Sequence, residues 1–125
     1  MSSLCKLAAP AGRIMLCLIF LLSGIDKISN LAGTQQYMQS FGVPGILIYP
    51  TILVEVLGAA AVIIGWRARE AAFLLAVFAL LAAFMFHLNM SDQMQMIMFL
   101  KNIAIAGGFL MIVAQGPGAL SVGKN

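Results

Sequence analysis

The chain has 125 residues, of which 62% are hydrophobic and only 9% are charged. A soluble domain usually carries about 25% charged residues, so this chain has too few charges to cover the surface of a water-soluble globule. The formal net charge is +3, but the basic residues are scattered and form no stripe, which argues against nucleic-acid binding. These numbers indicate an integral membrane protein, with the lipid bilayer as its first partner.

Four apolar runs are long enough to be spans, since a spanning helix needs about 20 mostly apolar residues. They cover approximately residues 11–28, 46–65, 71–89 and 96–115. They leave no room for a second domain, so we expect one transmembrane domain over residues 1–125. Short connectors favour antiparallel neighbours. The sequence therefore predicts an all-α membrane protein with four transmembrane helices in an up-down-up-down bundle.

The connector between the first two spans is longer and polar. Within it, Leu31, Tyr37, Met38 and Phe41 are spaced to share one face of a short helix. Tyrosine is enriched at the headgroup level of membranes. We therefore expect a short interfacial segment between helices 1 and 2.

Orientation follows from the distribution of basic residues. No A-x-A-like cleavage site follows the first apolar run, so we expect a retained helix rather than a signal peptide. The positive-inside rule then predicts that both termini are cytoplasmic. One side of the membrane receives Lys6, Arg13, Arg67, Arg69 and Lys124, and the other receives Lys27 and Lys101.

Each span carries a stripe of small or polar residues at helical spacing. Small residues allow helix backbones to approach closely in lipid, so these stripes should face the interior of the bundle. In chain order, the stripes are Arg13, Cys17, Phe20, Gly24 and Lys27; Thr51, Glu55, Gly58, Val62 and Gly65; Ala72, Ala76, Ala79, Ala83 and His87; and Lys101, Ala104, Gly108, Met111 and Gln115.

Several ionisable side chains fall inside the predicted bilayer. Counted from Arg67 at 1.5 Å per residue, Glu55 lies roughly 18 Å deep, a little past the midplane of a core about 30 Å thick. A charge at the centre costs at least about 2.5–3.5 kcal/mol, so we expect ion pairs such as Glu55 with Lys101. The candidate ligand-binding residues in the outer half are Asp26, Lys27, Glu55, His87, Lys101 and Asn102.

Among these residues, Glu55 is the best candidate for a catalytic group. A glutamate in the middle of a helix is too short to reach the membrane surface, whereas Asp26 and Lys27 lie near a helix end, where snorkelling explains them equally well. For His87, a buried hydrogen-bonding role and a functional role are equally compatible with the sequence.

Other chemistries find no support. His87 is the only histidine, so the chain lacks the two axial ligands of a typical b-type haem, and no metal site is predicted. Cys5 and Cys17 lie roughly 18 Å apart on one helix, beyond disulfide reach. No nucleophilic triad, phosphate loop or pair of catalytic carboxylates can be assembled. Any chemistry would therefore depend on a bound cofactor.

Several short motifs together resemble the DoxX family of small bacterial membrane proteins. Their order and spacing match along the whole chain, although many relatives carry an acid where Gly123 follows Val122. The motifs are Gly24-Ile25-Asp26-Lys27, Gly42-Val43-Pro44, Glu55-Val56-Leu57-Gly58, the turn from Gly65 to Arg69, His87, Lys101-Asn102, Gly107-Gly108 and Gly116-Pro117-Gly118.

The resemblance implies a four-helix protein of the bacterial inner membrane. It also implies a link to redox complexes, because relatives include a membrane subunit of a thiosulfate:quinone oxidoreductase. In the first of three hypotheses the chain is a quinone-linked redox subunit, in which Lys101, His87 or Asn102 binds the quinone and Glu55 relays a proton. The second is a non-catalytic scaffold of a stress-response complex. The third is a small proton-coupled transporter. A redox partner or a homo-oligomer is compatible with the sequence.

Overall fold

The computed structural model describes residues 2–86, 91–118 and 121–122. Over these ranges the chain forms five α-helices and one 3-10 turn, and it contains no β-strand. The all-α class predicted from the sequence is confirmed. The helices are α1 (Ser2–Ser29), α2 (Leu31–Ser40), α3 (Ile48–Ile64), α4 (Ala68–Phe86) and α5 (Gln93–Gln115), and the 3-10 turn Gly45–Leu47 precedes α3.

Four of these segments are long and apolar enough to cross a membrane, with mean hydropathies between 1.9 and 2.2. They are Lys6–Ser29, Gly45–Ile64, Ala68–Phe86 and Gln93–Gln115. They coincide with the four predicted spans, although α1, α4 and α5 begin earlier than predicted. The difference arises because the prediction marked only the longest uninterrupted apolar runs, whereas the helices also include flanking residues such as Lys6, Arg69 and Gln93.

Local capping explains where two of the spans begin and end. α3 ends at Gly65, whose φ of 79° is left-handed, a conformation that glycine adopts without a steric penalty. The N–H groups of Gly65 and Trp66 both donate to the Ala61 carbonyl at 2.9 Å. At the start of α5, the Asp92 carboxylate accepts a hydrogen bond from the Met94 N–H at 3.0 Å, as expected of an N-cap.

Contacts between α1 and α3 show that these two helices are antiparallel. Near one end, Arg13 Nε donates to the Ile63 carbonyl at 3.3 Å. Near the other end, Gly24 lies against Val56 and Glu55. Residue numbers therefore rise along α1 as they fall along α3, as an up-down order requires of this pair.

The same holds for α4 and α5. Asn102 Nδ2 donates to the Ala79 carbonyl at 3.2 Å, and Phe84 meets Phe99 edge to face with ring centroids 5.3 Å apart. Higher numbers on α4 again meet lower numbers on α5, so these two helices are also antiparallel.

The inward stripes predicted for α1, α3 and α4 are confirmed over the described residues. Lys27 and Thr51 are partly buried, and His87 lies outside the described residues. The buried members are Arg13, Cys17, Phe20 and Gly24 on α1, Glu55, Gly58, Val62 and Gly65 on α3 and at its end, and Ala72, Ala76, Ala79 and Ala83 on α4.

The stripe predicted for α5 is wrong in three of its five members, whereas Lys101 and Gly108 are partly buried. Ala104, Met111 and Gln115 are exposed, and the buried residues of this helix are Ala106 and Phe109. The Phe109 ring is fully buried and meets Phe20, and with Phe109 facing inward Ala104 is left exposed. Apolar lipid accepts small and large hydrophobic residues alike, so residue size alone does not mark the inner face of such a helix.

The connector between the first two spans is helical, as predicted. Met38 of α2 is buried together with Val43 and Ile48. Tyr37 and Phe41, which the prediction placed on the same face, are 47% and 45% exposed. α2 is therefore anchored to the bundle by Met38, while its aromatic residues lie closer to the surface.

The close approach of α1 to α3 gives a first prediction. A Cβ at Gly24 would lie 2.5 Å from Val56 Cγ2, and a β-branched side chain has little freedom to move away. We expect Gly24→Ala to lower the free energy of unfolding by about 1–3 kcal/mol in an SDS titration. Gly107→Ala is the matched control, because a Cβ there meets nothing within 4 Å. Equal stability of the two variants would contradict this packing.

Candidate functional site

A buried ion pair joins α1 to α3. Lys27 Nζ lies 2.7 Å from Glu55 Oε1, and the two side chains are 21% and 3% exposed, respectively. Gly24, one turn before Lys27, lies against α3 beside Glu55. Because Gly24 has no side chain, the backbones of α1 and α3 approach closely enough for the ion pair to form. The attraction between the two charges offsets part of the cost of placing them within the membrane.

The partner of Glu55 differs from the one predicted. The sequence suggested Lys101, and that prediction is wrong, because Lys27 occupies this position. Counting residues along a helix gives the depth of a side chain but not its direction around the helix axis. Lys101 makes no ion pair with any residue in the described part of the chain. Its ammonium group therefore has no carboxylate partner among those residues.

A cavity of about 520 Å³ lies beside the Lys27–Glu55 pair, and all five helices contribute to its wall. Its volume falls within the range of about 300–1,000 Å³ typical of small-molecule sites. Five of the six residues predicted to bind a ligand line it, and the sixth, His87, lies outside the described residues. The five are Asp26, Lys27, Glu55, Lys101 and Asn102.

The wall combines hydrogen-bonding groups with flat apolar surfaces. Phe20 and Phe78 line the cavity and meet edge to face, with ring centroids 6.2 Å apart. Asn102 Nδ2 donates to the Ala79 carbonyl, and a primary amide has a second hydrogen for another acceptor. The partly buried Lys101 precedes Asn102 on α5. The arrangement suits a molecule with apolar faces and hydrogen-bond acceptors at its edge.

Several polar residues of the wall were not among the predicted ligand-binding residues, although Thr51 was placed on an inward stripe. Ser23 and Thr51 line the cavity, as do Thr34 and Tyr37 of α2. The α2 residues were assigned to the membrane interface, and their contribution to a pocket was not foreseen. One signal was available, because Thr34, Tyr37 and Met38 recur at the spacing of a single helix face.

An aromatic cluster lies at the end of the cavity nearest α2. Tyr37 stacks on Phe86 of α4 with ring centroids 5.6 Å apart, and Phe41 lies 5.0 Å from Tyr37 and 5.1 Å from Phe86. Two of the three, Tyr37 and Phe86, also line the cavity. This cluster, Tyr37–Phe41–Phe86, therefore covers the end of the cavity that faces α2.

The opposite end of the bundle holds a buried arginine. Arg13 is 2% exposed, and its guanidinium donates to the Ile63 carbonyl at 3.3 Å and to the Pro117 carbonyl. These bonds link α1 to the last turn of α3 and to the segment after α5. Among the residues that the structure describes, no group of three His, Cys, Asp or Glu side chains is placed to hold a metal ion.

Four apolar helices around one mixed cavity define a small multi-pass membrane protein. Residues 8–88 match the family model described as DoxX. Inner membrane protein YqjF of Escherichia coli (strain K12) is 43% identical over 112 residues, which cover 90% of this chain and 86% of that protein. Inner membrane protein YphA of the same organism is 36% identical over 120 residues, with coverages of 90% and 86%. No solved structure matches the chain significantly.

The chain belongs to the DoxX family, and it is an integral protein of the inner membrane. The resemblance drawn from the short motifs is thereby confirmed, as are the predicted location and the four spans. The predicted cytoplasmic position of the termini stays a prediction.

The buried ion pair gives a second prediction. Lys27→Met keeps an unbranched apolar stem but leaves Glu55 enclosed without a positive partner, so we expect stability to fall by about 3 kcal/mol. Adding Glu55→Gln removes the uncompensated charge and should restore most of that loss. SDS-induced unfolding of the single and double variants measures both effects.

The exposed pair of Arg67 and Glu70, at 2.8 Å, provides the control for this prediction. Arg67→Met should cost no more than about 1 kcal/mol, because exposed ion pairs are weak. If the double variant were no more stable than Lys27→Met alone, the pair would not be the source of the effect.

Proposed function

We propose that the chain is a redox-associated membrane subunit that binds the ring of a quinone in the cavity beside Lys27 and Glu55. The observation that carries the proposal is the presence of two adjacent donor side chains, Lys101 and Asn102, in the wall of a largely apolar cavity. The cavity belongs to the spanning helices, so its natural ligands are molecules that dissolve in the bilayer.

The chemistry of a quinone ring matches this wall. The ring is flat, has two apolar faces and carries two carbonyl oxygens as acceptors at its edge. Phe20 and Phe78 supply apolar surface, and the Lys101 ammonium and the Asn102 amide are donors. Hydrogen bonds from a charged donor are stronger than neutral ones, and a low-dielectric surrounding strengthens them further.

Reduction of a quinone to a quinol takes up two electrons and two protons. In the proposal, Glu55 relays protons to the bound ring, because its carboxylate lines the cavity and is among the most enclosed charged groups in the bundle. Lys27 holds the carboxylate in place. The electrons come from a partner protein of the redox class.

Quinone binding by a lysine variant gives the third prediction. Lys101→Met removes a charged donor and should raise the Kd for a decyl-substituted benzoquinone by about tenfold, which corresponds to about 1.4 kcal/mol. Lys6→Met is the matched control, since Lys6 is exposed on α1 and does not line the cavity. Binding is measured by equilibrium partition in quinone-free nanodiscs.

Either of two results would contradict the proposal. One is a wild-type protein that binds no quinone in nanodiscs and retains none on purification from native membranes. The other is an equal loss of affinity in Lys101→Met and Lys6→Met, since the effect would then reflect net charge rather than the cavity.

One observation favours a second candidate, the non-catalytic scaffold of a stress-response complex. Glu55 already has a positively charged partner in Lys27, so its charge is compensated without a ligand, and the pair could serve only to join α1 to α3. A scaffold should then retain its partners in the Lys27→Met/Glu55→Gln double variant. The third candidate, a proton-coupled transporter, requires Glu55 to exchange protons with both sides of the membrane, and no feature of the described residues favours it.

A further inference from the structure

The contact between α1 and α5 is the least extensive of those between neighbouring spans. The two helices touch where Leu16 packs over Gly108 and where Phe20 meets Phe109 with ring centroids 5.5 Å apart. α1 with α3, α3 with α4, and α4 with α5 pack against each other over longer stretches. The seam between α1 and α5 is therefore the place where the bundle is most open.

Residues of both helices at this seam line the cavity. From α1, the residues Ile19, Ser23 and Asp26 line it, and from α5 the residues Lys101 and Ile105 do so. All five are partly or fully exposed as well. Lining residues on other helices, such as Tyr37, Pro50 and Met85, are exposed too, so exposure alone does not locate the mouth, and the sparse contact between α1 and α5 is what does. The mouth therefore lies between two spanning helices.

The end of the cavity toward α2 is covered instead. The cluster Tyr37–Phe41–Phe86 lies there, and the buried Met38 anchors α2 to the bundle beside it. A molecule entering from water at that end would have to displace packed aromatic rings. A molecule entering from the bilayer would pass only the side chains of the seam.

We propose that the cavity opens sideways into the bilayer between α1 and α5, and that its ligand is a lipid-phase molecule whose polar head enters while its apolar tail stays in the seam. This inference rests on the proposed function for the identity of the head as a quinone ring. It adds the class of ligand, a long-tailed quinone, and the route by which the ligand arrives.

The size of the cavity decides where the tail of such a ligand would lie. A tail of many isoprene units is larger than a space of about 520 Å³, so such a tail has to leave the cavity. At the seam it packs on Ile19 and Ile105, beside the polar Ser23, Asp26 and Lys101, and beyond them it meets the acyl chains of the lipid. The polar contacts are left to the head, beside Lys101 and Asn102.

Labelling of a cysteine in the cavity tests the route and gives the fourth prediction. In a background of Cys5→Ser and Cys17→Ala, Thr51→Cys places a single thiol on the cavity wall. In proteoliposomes, a long-chain alkyl maleimide reaches the thiol from the lipid, and a charged methanethiosulfonate reaches it only from water. After normalisation to the exposed Gln36→Cys, we expect the lipophilic reagent to react about tenfold faster than the charged one, because thiol reactivity follows access.

A substitution that narrows the mouth gives the decisive comparison. Ser23→Phe should slow the reaction of the alkyl maleimide with Thr51→Cys by about tenfold. Ser29→Phe is the matched control, because Ser29 is exposed on α1 and does not line the cavity; its labelling rate should stay unchanged. Ile105→Phe narrows the mouth from α5 and replaces Ser23→Phe if that variant fails to give a monodisperse protein.

Two outcomes would overturn the lateral opening. The first is normalised labelling by the charged reagent that is as fast as labelling by the lipophilic one. The second is an equal rate in Ser23→Phe and Ser29→Phe. The labelling experiment contains no quinone, so its result is independent of the proposed function. Labelling from the lipid side without quinone binding would contradict the proposed function alone. Quinone binding with labelling from the water side would contradict the lateral opening alone.

Discussion

A charge inside a bilayer is costly, and the way this protein meets that cost determines how α1, α3 and the cavity are arranged. Glu55 lies in the middle of a spanning helix, and the structure neutralises it with Lys27 from the neighbouring helix at 2.7 Å. That distance requires α1 and α3 to approach closely, which Gly24 permits. Once this pair is formed, the rotation of both helices about their axes is fixed. The cavity then forms beside the pair, where charged and apolar side chains share one wall.

Charged residues also explain which parts of the fold could be predicted from the sequence. On α1 and α3, the buried ionisable groups Arg13 and Glu55 mark the inner face, and the small residues in register with them were correctly placed. On α5, Lys101 lies only at the edge of the inner face, and the position of the Phe109 ring decides the rotation. Ring packing depends on neighbours that a single sequence does not show, so three of the five residues predicted for this face were placed wrongly.

Most residues of the site could be predicted from the sequence, but the contacts between them could not. The depth of each ionisable residue follows from the rise of a helix, and five of the six chosen residues do line one cavity. The choice of Lys27 over Lys101 as the partner of Glu55 depends on which helices are neighbours and on the contact at Gly24. The contribution of α2 was missed for a similar reason. Its amphipathic face is equally compatible with a membrane surface and with a protein cavity.

The buried Arg13 gives the bundle a mechanical asymmetry. Its hydrogen bonds to the carbonyls of Ile63 and Pro117 join α1, the end of α3 and the segment after α5 at one end of the bundle. Both acceptors lie near helix C-termini, where cations are favoured. At the other end, α1 and α5 are held apart by a cavity. The bundle is therefore tied together at the end that holds Arg13 and more open at the end that holds the cavity. A ligand that enters between α1 and α5 would therefore act on the end of the bundle that Arg13 does not hold.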